Sequence, residues 1–137
     1  MNPIDRLEIH ELLARTVYGL DQRDPSIIEP CFTKDANFLL EIKDADEMPP
    51  FEGRETIMEL MIGSMNDHTD DRRHIVSNIF IESEAGDTAV VVSNLVAVQS
   101  ENGEIGVMTS GVYRDKVSKL GGKWQISERH LALDVPF

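Results

Sequence analysis

One cysteine, Cys31, stands in 137 residues, so no disulfide can form within the chain and its core must hold by packing. Neither a histidine nor a second cysteine adjoins it, and it reads as a small buried hydrophobe. Basic residues are also scarce: 13 Lys and Arg stand against 25 Asp and Glu, a net charge of -12. Such a surface repels a phosphate backbone, which excludes nucleic acid as the expected partner. No apolar run approaches the roughly 18 residues of a spanning helix, and the opening Met-Asn-Pro-Ile lacks a basic segment ahead of an apolar one. The expectation is a cytoplasmic protein with no membrane association. Also missing are a phosphate-binding glycine loop, a dinucleotide glycine pattern, an ordered Ser-His-Asp set and a His-Glu-x-x-His helix. His68, Asp70, Asp71 and His74 are metal-compatible but lack a metal-site spacing, so neither metal nor cofactor is expected.

What remains is an ordinary globular composition, 41% hydrophobic and 28% charged, of a length that suits one domain over residues 1–137. From Asp5 to Asp21 the apolar positions Ile9, Leu12, Leu13, Val17 and Leu20 recur at helical spacing, with Asp5 and Glu8 as a capping pair. Pro25 ends that helix near Arg23 and opens a short one capped by Asp24. A strand over Ala36–Ile42 and an acidic, proline-bearing loop follow. After Gly53 comes a helix whose inward stripe is Ile57, Leu60, Met61, Ser64 and Met65. Four strands complete the chain, Ile75–Ser83, Thr88–Ser100, Gly106–Val117 and Trp124–Val135, separated by glycine-bearing turns. This order predicts an α+β domain: a half-open cone of strongly curved, mostly antiparallel sheet wrapped around N-terminal helices. The long strands are apolar on both faces, which predicts a homo-oligomer, dimer or trimer.

Asp71-Arg72-Arg73 delivers His74 from a charged loop into an apolar strand. Strict alternation places His74, Val76, Asn78 and Phe80 on one face. Asp21 lies on the shoulder of the Val17 and Leu20 stripe, so its carboxylate borders the core. A base that abstracts a proton needs one free imidazole nitrogen and an acceptor orienting the other, and Asp21 suits that second role. Arg129 and His130 are consecutive on the last strand and point to opposite faces unless a bulge intervenes. Tyr18 and Tyr113 are candidate hydrogen-bond donors, and Met61 and Met65 adaptable pocket wall.

Several stretches together carry a resemblance: Tyr-Gly-Leu-Asp-Gln-Arg-Asp closing the first helix, Cys-Phe-Thr-Lys-Asp-Ala-Asn-Phe, Phe-Glu-Gly-Arg-Glu, Arg-His-Ile-Val-Ser-Asn-Ile, and the closing Gly-Lys-Trp-Gln-Ile-Ser-Glu-Arg. The chain resembles the SnoaL-like branch of the nuclear-transport-factor-2-like superfamily, within it the group similar to scytalone dehydratase. The resemblance implies a His-Asp dyad at His74 and Asp21, with the histidine taking a proton beside a carbonyl while a leaving group departs from the next carbon. It implies that Arg129 holds a leaving group or anionic intermediate. Leu20 stands where scytalone dehydratase has a tyrosine, and Met108 and Thr109 stand where a second histidine is expected. The function expected is a cofactor-independent lyase or isomerase acting on a small apolar cyclic or polyketide-like molecule. The other reading is a non-catalytic binder or a structural small subunit like that of ring-hydroxylating dioxygenases.

Overall fold

The computed structural model describes residues 1–137. Its first helix, α1 (Pro3–Asp21), starts ahead of Asp5, because the Asn2 side chain caps it by accepting from the Asp5 amide at 2.8 Å and Pro3 takes the first turn. The Asp5 carboxylate instead accepts from Trp124 Nε1 at 2.8 Å and from Lys119 Nζ at 3.0 Å, tying the helix to the last hairpin. Those two donors, Trp124 foremost, hold its carboxyl below the usual range.

At the other end of α1, Arg23 takes a left-handed conformation, φ 53°. Its guanidinium then donates to the carbonyls of Met65 (3.2 Å), His68 (3.2 Å) and Asp70 (2.6 Å), fastening the helix terminus that carries Asp21 to a distant loop. Asp24 caps the short α2 (Pro25–Ile28) as expected, and a 3-10 turn over Glu29–Cys31 follows. Gly19 permits α1 and α2 to touch: a Cβ there would lie 2.7 Å from Ile28 Cγ1.

The strands are β1 (Phe32–Ile42), the two-residue β2 (Phe51–Glu52), β3 (Asp71–Ala85), β4 (Thr88–Glu101), β5 (Glu104–Leu120) and β6 (Lys123–Leu133), with α3 (Arg54–Asn66) between β2 and β3. They form one curved sheet in the order β2-β1-β6-β5-β4-β3. The last four strands make an antiparallel meander, whereas β1 runs parallel to β6. This is the α+β architecture expected. The sheet's concave side holds the helices, with Ile9, Leu13, Ile28, Phe32, Ile57 and Ile126 fully buried between the layers.

Several boundaries differ from the sequence reading, two strand starts by four residues. β1 begins at Phe32, directly after the 3-10 turn, and β3 begins at Asp71, because pairing of Asp71, Arg72 and Arg73 with Ser100, Gln99 and Val98 extends the ladder into the charged loop. A third difference matters more. Ser77 pairs with Asn94 and Phe80 with Val92, so Asn78 and Ile79 together face Ser93, and Asn78 has φ 54°. The extra residue is a β-bulge, and it reverses the alternation downstream. Ile79 and Ile81 therefore join Val76 against the core, while Phe80 turns outward at 53% exposure.

Candidate active site

β3 enters the sheet with His74 pointing toward the helices, and the Arg23 clamp holds the end of α1 across from it. His74 Nδ1 lies 2.5 Å from Asp21 Oδ1, and the same carboxylate accepts the His74 backbone N–H at 3.0 Å and 3.2 Å. Both side chains are 8% exposed. A carboxylate accepting from Nδ1–H leaves Nε2 as the ring's free lone pair. The backbone contact fixes the carboxylate beside the ring.

His74 lines a cavity of about 120 Å³. Most of the wall is apolar: Val17, Leu20, Phe38, Leu40, Leu60, Met61, Leu95, Ala97 and Leu131, with Phe137 at its edge. Of the polar residues on the wall, three hydroxyls are already engaged. Thr16 donates to the Leu12 carbonyl at 2.8 Å, Thr109 to the Val135 carbonyl at 2.6 Å, and Ser64 Oγ lies 3.3 Å from His68 Nε2. The other polar residues on the wall are His74, Tyr113 and Arg129.

Arg129 and Asp115 are direct cross-strand partners on β6 and β5 and are 2% and 0% exposed. Two hydrogen bonds join them, from Nε at 2.8 Å and from Nη2 at 3.0 Å, which leaves Nη1 without a hydrogen-bond partner on a residue that lines the cavity. Burial works against the guanidinium charge, but the adjoining Asp115 carboxylate outweighs it, and the Arg129 pKa stands above the usual arginine value. The Arg129 guanidinium also lies 4.1 Å from the centre of the Tyr113 ring. Burial pushes the Tyr113 phenol up to about 12; the Arg129 charge opposes this, and Asp115 and Asp21 reinforce it. Tyr113 is thus a hydrogen-bond donor throughout the physiological range.

The structure sorts the remaining candidates. Leu20 and Met61 are on the cavity wall; Met65 is buried beside it and faces a smaller chamber. Tyr18 does not reach the cavity: it is 57% exposed on the outer side of α1, beside Arg73 and Ile75. Asn78 is carried out by the bulge and is exposed. His130 points away from Arg129 as alternation requires, onto the outer sheet face, with Nε2 3.3 Å from Glu41 Oε2. Sequence reasoning missed Asp115. Its signal was legible, an acid alternating with Tyr113 and Val117 on an apolar strand face, and its partner was the arginine opposite.

A family description of the SnoaL-like domain matches residues 4–130. The chain belongs to the SnoaL-like domain family. Solved structures agree on the fold of this SnoaL-like domain. A Nostoc punctiforme protein of unknown function with a cystatin-like fold is 26% identical, with a TM-score of 0.82 over 99% of this chain and 97% of that one. A Novosphingobium aromaticivorans protein named as a candidate scytalone dehydratase is 22% identical, with a TM-score of 0.79 over 96% and 85%. The beta subunit of a candidate aromatic-ring-hydroxylating dioxygenase from the same organism is 16% identical, with a TM-score of 0.83 over 98% and 92%. Among curated proteins, none matches the SnoaL-like chain in sequence.

Proposed function

We propose that residues 1–137 act as one domain, a cofactor-independent lyase or isomerase that removes a proton from a small apolar cyclic substrate. The observation that carries this reading is the 2.5 Å contact between His74 Nδ1 and Asp21 Oδ1 at the wall of an apolar cavity. His74 Nε2 takes the proton from a carbon beside a carbonyl, and Asp21 stabilises the imidazolium that forms. As the proton leaves, negative charge builds on the carbonyl oxygen. The donors available to it are Arg129 Nη1 and the Tyr113 hydroxyl, whose proton burial retains. The enolate then expels a group from the adjacent carbon or takes the proton back at another position.

Cavity size narrows the substrate. A dry hydrocarbon-lined cavity of about 150 Å³ accommodates benzene, so 120 Å³ suits one ring better than a fused polycycle. The exposed, apolar outer sheet face supports a homo-oligomer as the working form. The test is deuterium uptake from solvent by single-ring ketones, compared between the native protein and His74→Ala. Uptake that requires His74 supports the assignment; equal uptake removes His74 as the base and leaves a non-catalytic binding cavity.

A further inference from the structure

An arginine in an apolar wall ordinarily anchors an anion, because a buried guanidinium needs a counter-charge. Arg129 is the one permanently charged side chain lining the main cavity. Its counter-charge is already in place. The Asp115 carboxylate, 0% exposed, accepts from Nε and Nη2, and the centre of the Tyr113 ring lies 4.1 Å from the guanidinium carbon.

The other charges around the cavity are matched in the same way. His74 has the Asp21 carboxylate 2.5 Å from Nδ1, so a protonated His74 also faces a carboxylate of its own. Arg72, whose guanidinium lies 5.7 Å from the centre of the Phe137 ring at the cavity edge, is paired with Asp70 at 2.9 Å. Arg23 lies outside this wall and is bound to three carbonyls. No cation on the wall is therefore left for an incoming carboxylate. At longer range the chain's charge of -12 acts in the same sense, against the approach of an anion.

Proton transfer leaves this balance intact. When His74 takes a proton from a neutral substrate, imidazolium and enolate form together and the enclosed charge does not change. A substrate that enters with a carboxylate loses its water and adds a negative charge that no free group can match. A neutral carbonyl oxygen needs only a donor, and Arg129 Nη1 has no other partner.

We propose that Asp115 determines specificity: by neutralising Arg129 it opens the cavity to uncharged ring compounds and turns away carboxylates of the same shape. The inference rests on this cavity being the substrate site of the proposed reaction. Asp115 acts through Arg129, as a positioning residue, and what it controls is the charge of the ligand.

Nitrobenzene and benzoate are isoelectronic and share one planar shape, so they differ to the protein in charge alone. Each is titrated into protein carrying 13C-methyl methionine and followed at the methyl group of Met61, on the cavity wall. The native protein should bind nitrobenzene about 100-fold or more tightly than benzoate. Asp115→Asn keeps the shape and unmasks the guanidinium charge. Benzoate should then tighten about tenfold or more, while nitrobenzene changes by less than about threefold. Asp115→Leu combined with Arg129→Met removes both charges and strands neither, so its preference for nitrobenzene should stay within about tenfold of native.

Equal affinity for the two compounds in the native protein, binding of neither, or no gain for benzoate in Asp115→Asn would each overturn the proposal. If Asp115→Asn does not fold, the double variant decides. A loss of benzoate relative to nitrobenzene beyond that limit would mean that Arg129 receives carboxylates despite Asp115, and the proposal would fall. Neither compound has a proton beside a carbonyl for His74 to remove. These equilibrium readings are thus independent of the deuterium-uptake experiment, and failure of the charge filter is separable from failure of the assigned reaction.

Discussion

Asp21 holds His74 through both its ring and its backbone amide, which makes the carboxylate more than a counter-charge. An asparagine there fits the same space but presents one carbonyl oxygen and one amino group. If the amino group faces Nδ1, the ring must carry its proton on Nε2 and the free lone pair is lost. Asp21→Asn should therefore leave the fold intact while reducing any His74-dependent proton exchange roughly 100- to 10,000-fold. Circular dichroism checks the first expectation and deuterium uptake the second; a variant exchanging at the native rate would dismiss Asp21 as the orienting group. Tyr113 offers an independent residue-scale test, since the chain has two tyrosines and Tyr18→Phe leaves only the buried one. Its phenolate absorbance should appear with a midpoint of about 12 instead of the roughly 10 of an exposed phenol. The folded state holds this proton more tightly than the unfolded chain does. Its contribution to stability is therefore complete below about pH 10 and is lost as pH rises toward 12. In Tyr113→Phe the loss of stability across that window should be smaller, as read from denaturant melts at successive pH values.

At the scale of elements, β5 and β6 are joined through Asp115 and Arg129, and the pair is fully desolvated. Removing only the acid strands a guanidinium in the core. Asp115→Ala should cost about 3–5 kcal/mol in a denaturant melt, whereas replacing both residues by apolar ones of similar volume should recover much of that loss. A single variant as stable as native would mean that water or another acid reaches Arg129. The bulge in β3 is the other element-scale feature with a measurable consequence: Asn78→Gly should be tolerated at φ 54°, and Asn78→Val should lose roughly 1–2 kcal/mol, because a branched side chain resists the left-handed region. These elements also separate what the sequence displays from what it hides. Helical spacing located α1 and α3, glycine-bearing turns separated β3 to β6, and alternation assigned Arg129 and His130 to opposite faces. Those patterns are set by neighbours in the chain. The parallel pairing of β1 with β6, the extra residue at Asn78 and the Arg23 clamp on a loop more than 40 residues away depend on partners that local periodicity never registers. The Asp21 and His74 juxtaposition is of that second kind; the family resemblance suggested it, and residue spacing alone did not.

For the whole molecule, two apolar surfaces compete for explanation, one enclosed by the helices and one on the convex side of the sheet. The convex side presents Ile75 at 48%, Phe80 at 53% and Val112 at 41% exposure. Register aligns them with further valines, since Ile75 pairs with Val96 and Phe80 with Val92. A chain with a net charge of -12 has no shortage of acidic residues to place on an exposed face, yet this patch across β3, β4 and β5 is apolar, with the Arg114–Glu82 ion pair at its border, and the proposed homo-oligomer would cover it. The salt dependence should be informative as well: like-charged chains repel most at low ionic strength, while burial of the valines is insensitive to it. Association should therefore tighten as salt is added. Analytical ultracentrifugation of the native protein should give a dimer or trimer, and Val112→Glu should sediment with the mass of one chain while keeping its native circular dichroism. Sedimentation of the native protein as a single chain at every salt concentration would leave the convex face without a partner copy, and the site at His74 would then have to function within one isolated subunit.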